Sequence, residues 1–574
     1  MIFGECSNLR RVINIAGIAA LPNNATAAAA EVLDVLDRTL RLMQAMAQAA
    51  KDGADGMPEL WLPICLGNAV VDGDLASASA RLPASHAGIW GLAKAFRNEH
   101  PELASTVTLD LEEAECSASG LAAQLQYLSK QRAAGLAEPE LAARTAKLLV
   151  PRLVDSTQRL QNDLGNPSFG SDGMYMVTGG TGALGLLFVD WMVRCGARHF
   201  ALLSRSGQPP ADSKAAFRKL EKQMAKMKGV TFSARKCDIG SGADVLRVTT
   251  QVLDEKHVVK GIVHAAGTLA DGLIKDGQDR TTLKTVCSAK VDGSLQLHNA
   301  ADQLDLPLEF MWLFSSVAAM IGSVAQGNYC AANAFMDSMG ARRRARNLPA
   351  ISLQWGPWAD VGMAARAGTS EGSIARLDPE RGLEAMALVL GAASLLRPAG
   401  TLGIARIKWK SLLGQMPKVP PVLSKFGGSS GPKKASAAAA GAVVSADDIK
   451  GVVVGVLQDV LEGEGDLDLS TPLMEMGLDS LAGVEFRNRL QASFEGLQLS
   501  STLMFDYPTV PDLVDYIYGQ VGPAEDDLAA GGGATLGDVG AMLSIAARRN
   551  LEDGAIEHFV EFSVCCFKLL LVEG

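Results

Sequence analysis

The chain has 574 residues, more than one hydrophobic core usually contains, so about three or four folded units are expected. Its 48% hydrophobic and 20% charged residues are typical of soluble globular domains, and its nine cysteines lack the spacing of a zinc site. We therefore expect no metal, reduced thiols and a cytoplasmic location, with an organelle such as a plastid as the alternative.

The net charge of −10 is concentrated in one segment. Residues 446–522 hold 14 Asp and Glu against 3 Lys and Arg, and the rest of the chain is close to neutral. This argues against nucleic-acid binding and suggests a mobile acidic domain that visits basic surfaces. The alternative is an acidic surface that only aids solubility. The apolar run Phe559–Val572 is short and contains two charges, so no membrane span is expected.

Two α/β regions come first in the chain. Residues 1–165 have strand-like runs around the helical segment Ala27–Ala50, at Arg11–Ile18, Leu60–Leu66 and Thr106–Leu111. Residues 166–423 repeat the alternation more regularly, with apolar runs at Met174–Thr178, His199–Ser204, Gly261–His264, Phe310–Ser315 and Ile351–Gln354. The pattern predicts a doubly wound parallel sheet, and two related Rossmann-like halves.

The remaining segments are smaller. Residues 424–445 are rich in Gly, Ser and Ala and predict a flexible linker. Residues 446–522 predict a small all-α domain. In the tail, residues 523–574, a helix is expected at Thr535–Arg549. The tail has three open interpretations: a docking segment, a linker remnant, or the start of a further domain.

A glycine-rich turn follows the first strand of the second region. Glycines 179, 180, 182 and 185 lie between that strand and a predicted helix, where they allow a tight turn and close approach of a pyrophosphate. A glycine-rich turn alone is a weak signal. The next strand ends in Ser204-Arg205, where NAD enzymes carry an acid, so Arg205 favours a 2′-phosphate and hence NADPH. The alternative is a solvated cation at the strand end.

Two further strand ends fit a dinucleotide. Asp238, followed by Ile239, could accept a hydrogen bond from an adenine amine. The run His264-Ala265-Ala266-Gly267 has small residues that let the backbone lie against a cofactor. We interpret His264 as a packed structural residue.

Four residues predict a ketone-reducing site. Ser316 ends an apolar strand and would bind the carbonyl and the developing alkoxide. Tyr329 would donate the proton, and Asn333, one helical turn later, could hold a water or help to relay the proton. Free tyrosine has a pKa of about 10, which the ammonium of Lys290 is expected to lower. Positioned proton transfer contributes roughly 10²- to 10⁴-fold in rate.

These residues resemble the ketoreductase domain of type I polyketide synthases, a branch of the short-chain dehydrogenase/reductase superfamily. The shared motifs are TGGTGALG, LLSRSG, CDI, HAAG, SLQWGPW, Lys290, and the set Ser316, Tyr329 and Asn333. Ala87–Glu102 is similar to the signature of the family's cofactor-free half, which braces the catalytic half. The resemblance implies that NADPH contacts Thr178, Gly179, Gly180, Thr181, Gly182, Leu184, Ser204, Arg205, Asp238, Ile239, Ala265, Ala266, Gly267, Lys290, Tyr329 and Pro357.

The family's stereochemical markers can also be placed. The type that forms the D-hydroxyl has a Leu-Asp-Asp triplet, and this chain has Leu269-Ala270-Asp271. The opposite type has a tryptophan eight residues before the tyrosine, where this chain has Ile321. The resemblance therefore implies a D-hydroxyl, or B-type, product with Asp271 in stereocontrol, although Ala270 departs from the motif.

The acidic segment resembles an acyl carrier protein. Leu473–Leu481, LMEMGLDSL, matches the attachment motif, and Phe505–Thr509 matches the entry to the third helix. The resemblance implies covalent 4′-phosphopantetheine on Ser480, added by a phosphopantetheinyl transferase. A phosphodiester there would meet the positive end of a helix. The alternative is that Ser480 is only an N-cap.

Together the motifs predict NADPH-dependent reduction of a 3-oxoacyl thioester, carried on the chain's own Ser480 arm, to the 3-hydroxyacyl thioester. Ketosynthase and acyltransferase domains or subunits are the expected partners. One alternative is the same domain pair within a multidomain fatty acid synthase. The other is a non-catalytic scaffold of ketoreductase fold that presents the carrier.

Overall fold

The structure is a computed structural model. It describes residues 11–52, 57–65, 85–103, 105–144, 147–155, 167–362, 372–391, 401–414, 416, 419–426, 446–461, 469–474, 476, 478, 480–494, 499, 503–521 and 558–561. Most of the predicted linker 424–445 and the predicted tail helix Thr535–Arg549 lie outside these residues. In the described part, no helix combines the length and apolar character needed to cross a membrane.

The first sheet has five strands in the order β1 to β5. They are β1 (Arg11–Ile13), β2 (Glu59–Cys65), β3 (Val107–Leu111), β4 (Glu140–Arg144) and β5 (Lys147–Leu149). The first four are parallel and β5 is antiparallel. The sheet is accompanied by helices α1 (Ala25–Lys51), α2 (Gly88–Glu99) and α3 (Ala118–Ala133).

The predicted strand at Arg11–Ile18 is wrong in its second half. The strand ends at Ile13, and a short 3-10 turn covers Ile15–Ile18. The side chain of Asn14 accepts a hydrogen bond from the Ala16 N–H and so caps this turn. Asparagine side chains commonly compete with strand pairing in this way.

The second sheet is larger. Its strands are β6 (Val154–Asp155), β7 (Gly173–Thr178), β8 (His199–Ser204), β9 (Thr231–Lys236), β10 (Val258–His264), β11 (Phe310–Ser316), β12 (Ile351–Trp355), β13 (Ile374–Ala375), β14 (Thr401–Ile407) and β15 (His558–Glu561). Its helices are α4 (Ala183–Arg194), α5 (Lys214–Ala225), α6 (Gly242–Asp254), α7 (Arg280–Cys287), α8 (Gly293–Gln303), α9 (Val317–Ile321), α10 (Gly327–Ala345), α11 (Pro379–Gly391) and α12 (Trp409–Gly414).

The strand order is β6-β15-β14-β12-β11-β10-β7-β8-β9, with β13 also on β14. Strands β7 to β12 and β14 pair in parallel, whereas β6, β13 and β15 add antiparallel pairs at the β14 side. The order reverses between β7 and β10, and ligands of open α/β sheets bind beside the carboxyl ends of such a pair. The predicted doubly wound Rossmann-like fold is confirmed.

The two α/β halves share a hydrophobic core. Residues of α1 and α2, such as Leu36 and Ile89, are buried with Leu283 of α7 and Phe335 of α10. At the closest approach, a β-carbon added to Gly91 of α2 would lie 2.2 Å from the Cys330 main-chain oxygen. Only glycine permits this contact, so the first half is packed against the helix that carries Tyr329.

The acidic segment forms a separate small domain. Its helices are α13 (Ala446–Leu461), α14 (Ser480–Ser493), α15 (Leu503–Asp506) and α16 (Val510–Val521). They enclose their own core, which includes Ile449, Leu457, Phe486, Leu513 and Ile517. The predicted all-α architecture of this segment is confirmed.

Candidate active site

Ser316 and Tyr329 lie at the start of consecutive helices. Ser316 is the last residue of β11 and the N-cap of α9, where its Oγ accepts a hydrogen bond from the Ala318 N–H at 3.2 Å. Tyr329 lies in the first turn of α10 and is 9% exposed. The Ser315 hydroxyl donates a hydrogen bond to the Asn333 carbonyl at 3.4 Å, which joins the strand end to α10.

Asn333 lies beneath Tyr329 on the same helix and is fully buried. Its Nδ2 donates a hydrogen bond to the Tyr329 carbonyl at 2.8 Å. Its Oδ1 is buried and has no hydrogen-bond partner among the described residues. A buried acceptor without a donor is costly unless water or a ligand satisfies it. Asn333 therefore offers an acceptor site of the kind that a proton relay requires.

Lys290 approaches Tyr329 from the other side of the site. It lies in a single π-helical turn, Ser288–Asp292, between α7 and α8, and is 3% exposed. Its Nζ donates a hydrogen bond to the Phe314 carbonyl at 2.9 Å and is 5.2 Å from the centroid of the Tyr329 ring. Turns of this type are frequent at functional sites. The π-turn thus directs the ammonium into the space between β11 and α10.

The acid–base properties differ from the expectation. Burial raises the pKa of Tyr329 to about 12, and hydrogen bonds with Asn333 and Ser316 lower it only in part. Burial also lowers the pKa of Lys290 to about 7. The pKa of Tyr329 is therefore raised and not lowered as expected, because loss of solvent has the largest effect on it. At neutral pH the phenol is protonated, as a proton donor must be.

A cavity of about 450 Å³ opens at the carboxyl ends of β7, β8 and β10. Most of the predicted cofactor contacts line it: Thr178, Gly179, Thr181, Gly182, Leu184, Ser204, Arg205, Asp238, Ile239, Ala265, Ala266 and Gly267. Gly180, Lys290, Tyr329 and Pro357 do not line it. Lining residues that the sequence did not single out include Ser206, Gln208, Thr268 and Thr285. Ser288 and Ala289 also line it and directly precede Lys290, so the cavity adjoins the Tyr329 site.

The glycine-rich turn has the shape that a dinucleotide requires. Gly179 has a φ of +64°, which L side chains rarely adopt, and it lies against the main chain of Ala265 and Ala266. A β-carbon at Gly185 would lie 2.6 Å from the Gly179 oxygen. The helix α4 starts at this turn, so its free N–H groups and positive dipole end face the cavity. The residues present therefore fit a pyrophosphate.

Arg205 and His264, both at strand ends, differ in their exposure to solvent. Arg205 is exposed at the cavity wall, one residue beyond β8. His264 is fully buried, hydrogen-bonds the Thr178 hydroxyl through Nδ1 at 2.8 Å, and has a pKa lowered to about 3 by burial. The imidazole is therefore neutral and packed, in keeping with a structural role.

The segment with the stereochemical markers borders Tyr329. Asp271 accepts a hydrogen bond from Gln326 Nε2 at 2.9 Å, and Gln326 lies three residues before Tyr329. Loss of solvent raises the pKa of Asp271, although the hydrogen bond from Gln326 lowers it in part. The Ala270 carbonyl accepts a hydrogen bond from Asn328 Nδ2 at 2.6 Å. Ile321 is at the end of α9. Asp271 is thus held directly beside the start of α10.

Sequence reasoning missed a set of polar residues on α2 that hold the site from the first half. Lys94 Nζ donates hydrogen bonds to the carbonyls of Ala319 and Met320, and Asn98 Nδ2 donates one to the Ile321 carbonyl. These bonds satisfy the last carbonyls of α9, which otherwise lack helical partners. The signal was present in the sequence, since Lys94 and Asn98 are four residues apart in a largely apolar helix.

Glu99 extends this contact. Glu99 is 1% exposed, and its two carboxyl oxygens accept hydrogen bonds from the N–H groups of Ile274 and Ala325. These two residues belong to the loops on either side of the Asp271–Gln326 pair. The first α/β half therefore fixes both loops that frame Tyr329.

In the acidic domain, Ser480 is the first residue of α14. The N-terminus of this helix has free main-chain N–H groups suited to an anion. Among the described residues, no group of three or more His, Cys, Asp and Glu side chains is arranged to hold a metal ion.

Two segments of the chain match known protein families. Residues 173–360 match the KR domain, and residues 451–517 match the phosphopantetheine attachment site domain. The chain therefore has a KR domain followed by a phosphopantetheine-binding domain. These matches confirm the predicted resemblance for both units.

Curated relatives include type I polyketide synthases. The spectinabilin polyketide synthase system protein NorB of Streptomyces orinoci is 35% identical over 415 residues, which is 67% of this chain and 18% of that protein. Polyketide synthase GfsA of Streptomyces halstedii is 31% identical over 477 residues, 78% of this chain and 6% of that protein. The chain thus spans less than a fifth of the length of either relative.

A solved structure of A-type ketoreductases from a modular polyketide synthase has the same fold. It has a TM-score of 0.56 and 25% sequence identity, and the match covers 74% of this chain and 84% of that one. The match therefore covers a larger share of the chain than residues 173–360 alone.

Proposed function

Since this chain joins a KR domain to a phosphopantetheine-binding domain in the manner of type I polyketide synthases, we propose that it is an NADPH-dependent 3-oxoacyl thioester reductase. Its substrate is a 3-oxoacyl group carried on 4′-phosphopantetheine at Ser480, and its product is the 3-hydroxyacyl thioester. The main support for this proposal is that Tyr329, Ser316 and Lys290 lie close together beside the cavity at the glycine-rich turn.

When bound, NADPH supplies the hydride that adds to the β-carbon. The turn at Gly179–Gly185 and the N-terminus of α4 would hold the pyrophosphate, and Arg205 would bind the 2′-phosphate. Arginine suits a phosphate because its fork of N–H groups donates several charge-assisted hydrogen bonds. Asp238 and Ile239 border the place of the adenine.

The residues around Tyr329 bind the carbonyl and transfer the proton. Ser316 donates a hydrogen bond to the β-carbonyl and holds it beside the phenol. Tyr329 would give its proton to the carbonyl oxygen of the substrate. Lys290 binds the ribose and, while protonated, favours the phenolate that remains. The free Oδ1 of Asn333 holds a water that returns a proton to Tyr329.

The product configuration follows from Asp271. Because Asp271 is fixed beside the first turn of α10 and Ile321 replaces the tryptophan of the opposite type, we infer a D-hydroxyl product. The solved structure described above is of A-type ketoreductases. The configuration is therefore the property in which the two proteins are expected to differ.

The partners follow from the chemistry. A 3-oxoacyl thioester is formed by condensation, so ketosynthase and acyltransferase domains or subunits supply the substrate. A phosphopantetheinyl transferase modifies Ser480. The same domain pair would serve a multidomain fatty acid synthase, and identification of the neighbouring domains distinguishes the two systems.

A simple assay tests the reductase activity. The chain is mixed with NADPH and the 3-oxoacyl thioester of N-acetylcysteamine, and consumption of the reduced cofactor is followed. We expect turnover by the unmodified chain and a loss of about 10²- to 10⁴-fold for Tyr329→Phe, because the phenyl ring cannot donate a proton. Equal, background rates for both proteins would instead favour the non-catalytic scaffold.

A further inference from the structure

Among the described residues, an ion pair connects the reductase to the carrier domain. The Nζ of Lys275 lies 2.8 Å from Oδ1 of Asp506, the last residue of α15. The side chains are 16% and 31% exposed, respectively, so both are partly shielded from solvent. The contact therefore brings the acidic domain onto the loop that follows β10.

Lys275 belongs to a loop that is firmly attached to the active site. The N–H of Ile274 donates a hydrogen bond to Glu99 at 2.7 Å, and the N–H of Gly272 donates one to the Ala325 carbonyl at 2.7 Å. The Oε1 of Gln278 accepts a hydrogen bond from the Asn328 N–H at 3.0 Å. Lys275 is thus a fixed cation at the rim of the site that contains Tyr329.

Asp506 is similarly close to the attachment position. Helix α15 packs on the first turn of α14, since a β-carbon at Gly483 would overlap the Met504 side chain at 1.7 Å. Ser480 begins this turn. A partner that binds Asp506 therefore lies on the side of the carrier domain from which the arm extends.

Charge complementarity supports the contact. The carrier domain has 14 acidic and 3 basic residues, so its field draws it towards cations at long range. Such steering selects an approach, and a short-range pair then fixes the orientation. Lys275 provides a cation at the rim of the site, and Asp506 provides the carboxylate nearest to it.

We propose that Lys275 and Asp506 form the docking contact through which the chain's own carrier domain presents its thioester to the reductase. The proposal rests on the proposed function. The carrier docks with α15 against the loop after β10, and the arm from Ser480 then enters beside Asp271 and Tyr329. The linker keeps the encounter within one chain, so a weak contact suffices.

Two substrates distinguish an effect on carrier docking from an effect on catalysis. One is a 3-oxoacyl group loaded on the carrier domain of the full chain, and the other is the free N-acetylcysteamine thioester. In single-turnover experiments, we expect Lys275→Glu and Asp506→Lys each to slow reduction of the loaded group by about two- to fivefold, the range for a partly exposed ion pair. Both variants should reduce the free thioester at the rate of the unmodified chain.

A double variant in which both charges are reversed gives the more specific test. Lys275→Glu combined with Asp506→Lys restores the pair with reversed polarity and should recover the loaded-substrate rate. Matched charge reversals at the exposed residues Lys219 and Asp515 should leave that rate unchanged. The rate should also be independent of protein concentration, as expected for a carrier of the same chain.

Several outcomes would overturn the docking contact. They are unchanged loaded-substrate rates in the single variants, equal slowing of both substrates, no recovery in the double variant, or a rate that rises with protein concentration. The absence of free-thioester turnover by the unmodified chain would instead refute the proposed function. The two failures are therefore distinguishable.

Discussion

Glu99 holds Ala325 in a left-handed backbone conformation. The Ala325 N–H donates a hydrogen bond to Glu99 Oε1 at 3.0 Å, and its φ is +61°. The Gly272 N–H binds the carbonyl of the same alanine, so the residue is held at both ends. A non-glycine residue in this region costs about 1–2 kcal/mol. This strained residue lies four positions before Tyr329 and is fixed by the carboxyl group of Glu99 from the first α/β half.

Replacing Glu99 should therefore impair reduction without touching a reacting group. In Glu99→Gln one acceptor oxygen remains, and the amide NH₂ faces the second N–H, which loses its partner. An unsatisfied buried donor costs about 1–3 kcal/mol, so we expect kcat/KM for the free thioester to fall by about tenfold. The measurement is steady-state kinetics, with KM and kcat determined separately.

The matched control for this substitution is Glu102→Gln, since Glu102 is on the same segment but is 54% exposed. A positioning role predicts that Glu99→Gln also lowers the configurational purity of the alcohol, because the loops around Tyr329 loosen. Retained kcat/KM together with unchanged purity would contradict that role.

The stability of the protein should depend on pH through Glu99. Burial raises the pKa of this carboxyl from 4.5 to about 8, so the folded chain binds the proton more tightly than the unfolded chain. This contribution is fully present below about pH 4.5 and is lost as the pH rises through about 8. The Gln side chain of Glu99→Gln does not titrate, so the variant lacks this pH-dependent contribution. We therefore expect the thermal unfolding midpoint of the unmodified chain to fall relative to the variant between pH 4.5 and 8. If the unfolding midpoints of the unmodified chain and of Glu99→Gln changed in parallel across this range, a contribution of Glu99 to the pH dependence would be excluded.

Arg205 should determine the choice between NADPH and NADH. Hydrogen bonds to charged groups contribute about 1.5–3 kcal/mol, so Arg205→Ala should lower kcat/KM for NADPH by roughly 10- to 100-fold. The value for NADH, which has no 2′-phosphate, should change little. Initial rates with both cofactors measure the ratio, with Arg218→Ala, an exposed arginine on α5, as the control. An equal loss with both cofactors would show that Arg205 does not bind the phosphate.

Asp271 should control the face of the ketone that is reduced. In Asp271→Ala the hydrogen bond from Gln326 is lost, so we expect a mixture of hydroxyl configurations in place of mainly the D-form. Chiral chromatography of the released acid measures the ratio, and Asp276→Ala on the same loop is the control. A pure L-hydroxyl product from the unmodified chain would contradict the assignment and group the chain with A-type ketoreductases.

The sequence predicted the elements that have a strong local signal. The apolar runs at β7, β8, β10, β11 and β12 are strands, and most of their residues are buried on both faces, as is typical of parallel strands. Residues of the glycine-rich turn and Arg205 line one cavity, because strand ends in a parallel sheet share one edge; their contacts with a cofactor stay a prediction.

Long-range relationships could not be predicted in this way. The contacts of Glu99 with Ile274 and Ala325 connect residues more than 170 positions apart, and no periodicity marks them. The effect of burial on the pKa values of Tyr329 and Lys290 likewise depends on how the two halves close over the site. The ion pair of Lys275 and Asp506 joins two domains, so only the assembled structure places those residues together.

The most direct measurement follows label from the cofactor to the carrier. The full chain is loaded with phosphopantetheine and a 3-oxoacyl group, then mixed with NADPH that carries deuterium at the transferred position, and the peptide containing Ser480 is analysed by mass spectrometry. We predict that the acyl group on Ser480 gains one deuterium and one proton, that Tyr329→Phe largely prevents this, and that Ser480→Ala carries no acyl group. An acyl group that stays on Ser480 with the mass of the ketone, under conditions in which the free thioester is reduced, would contradict reduction on the chain's own carrier.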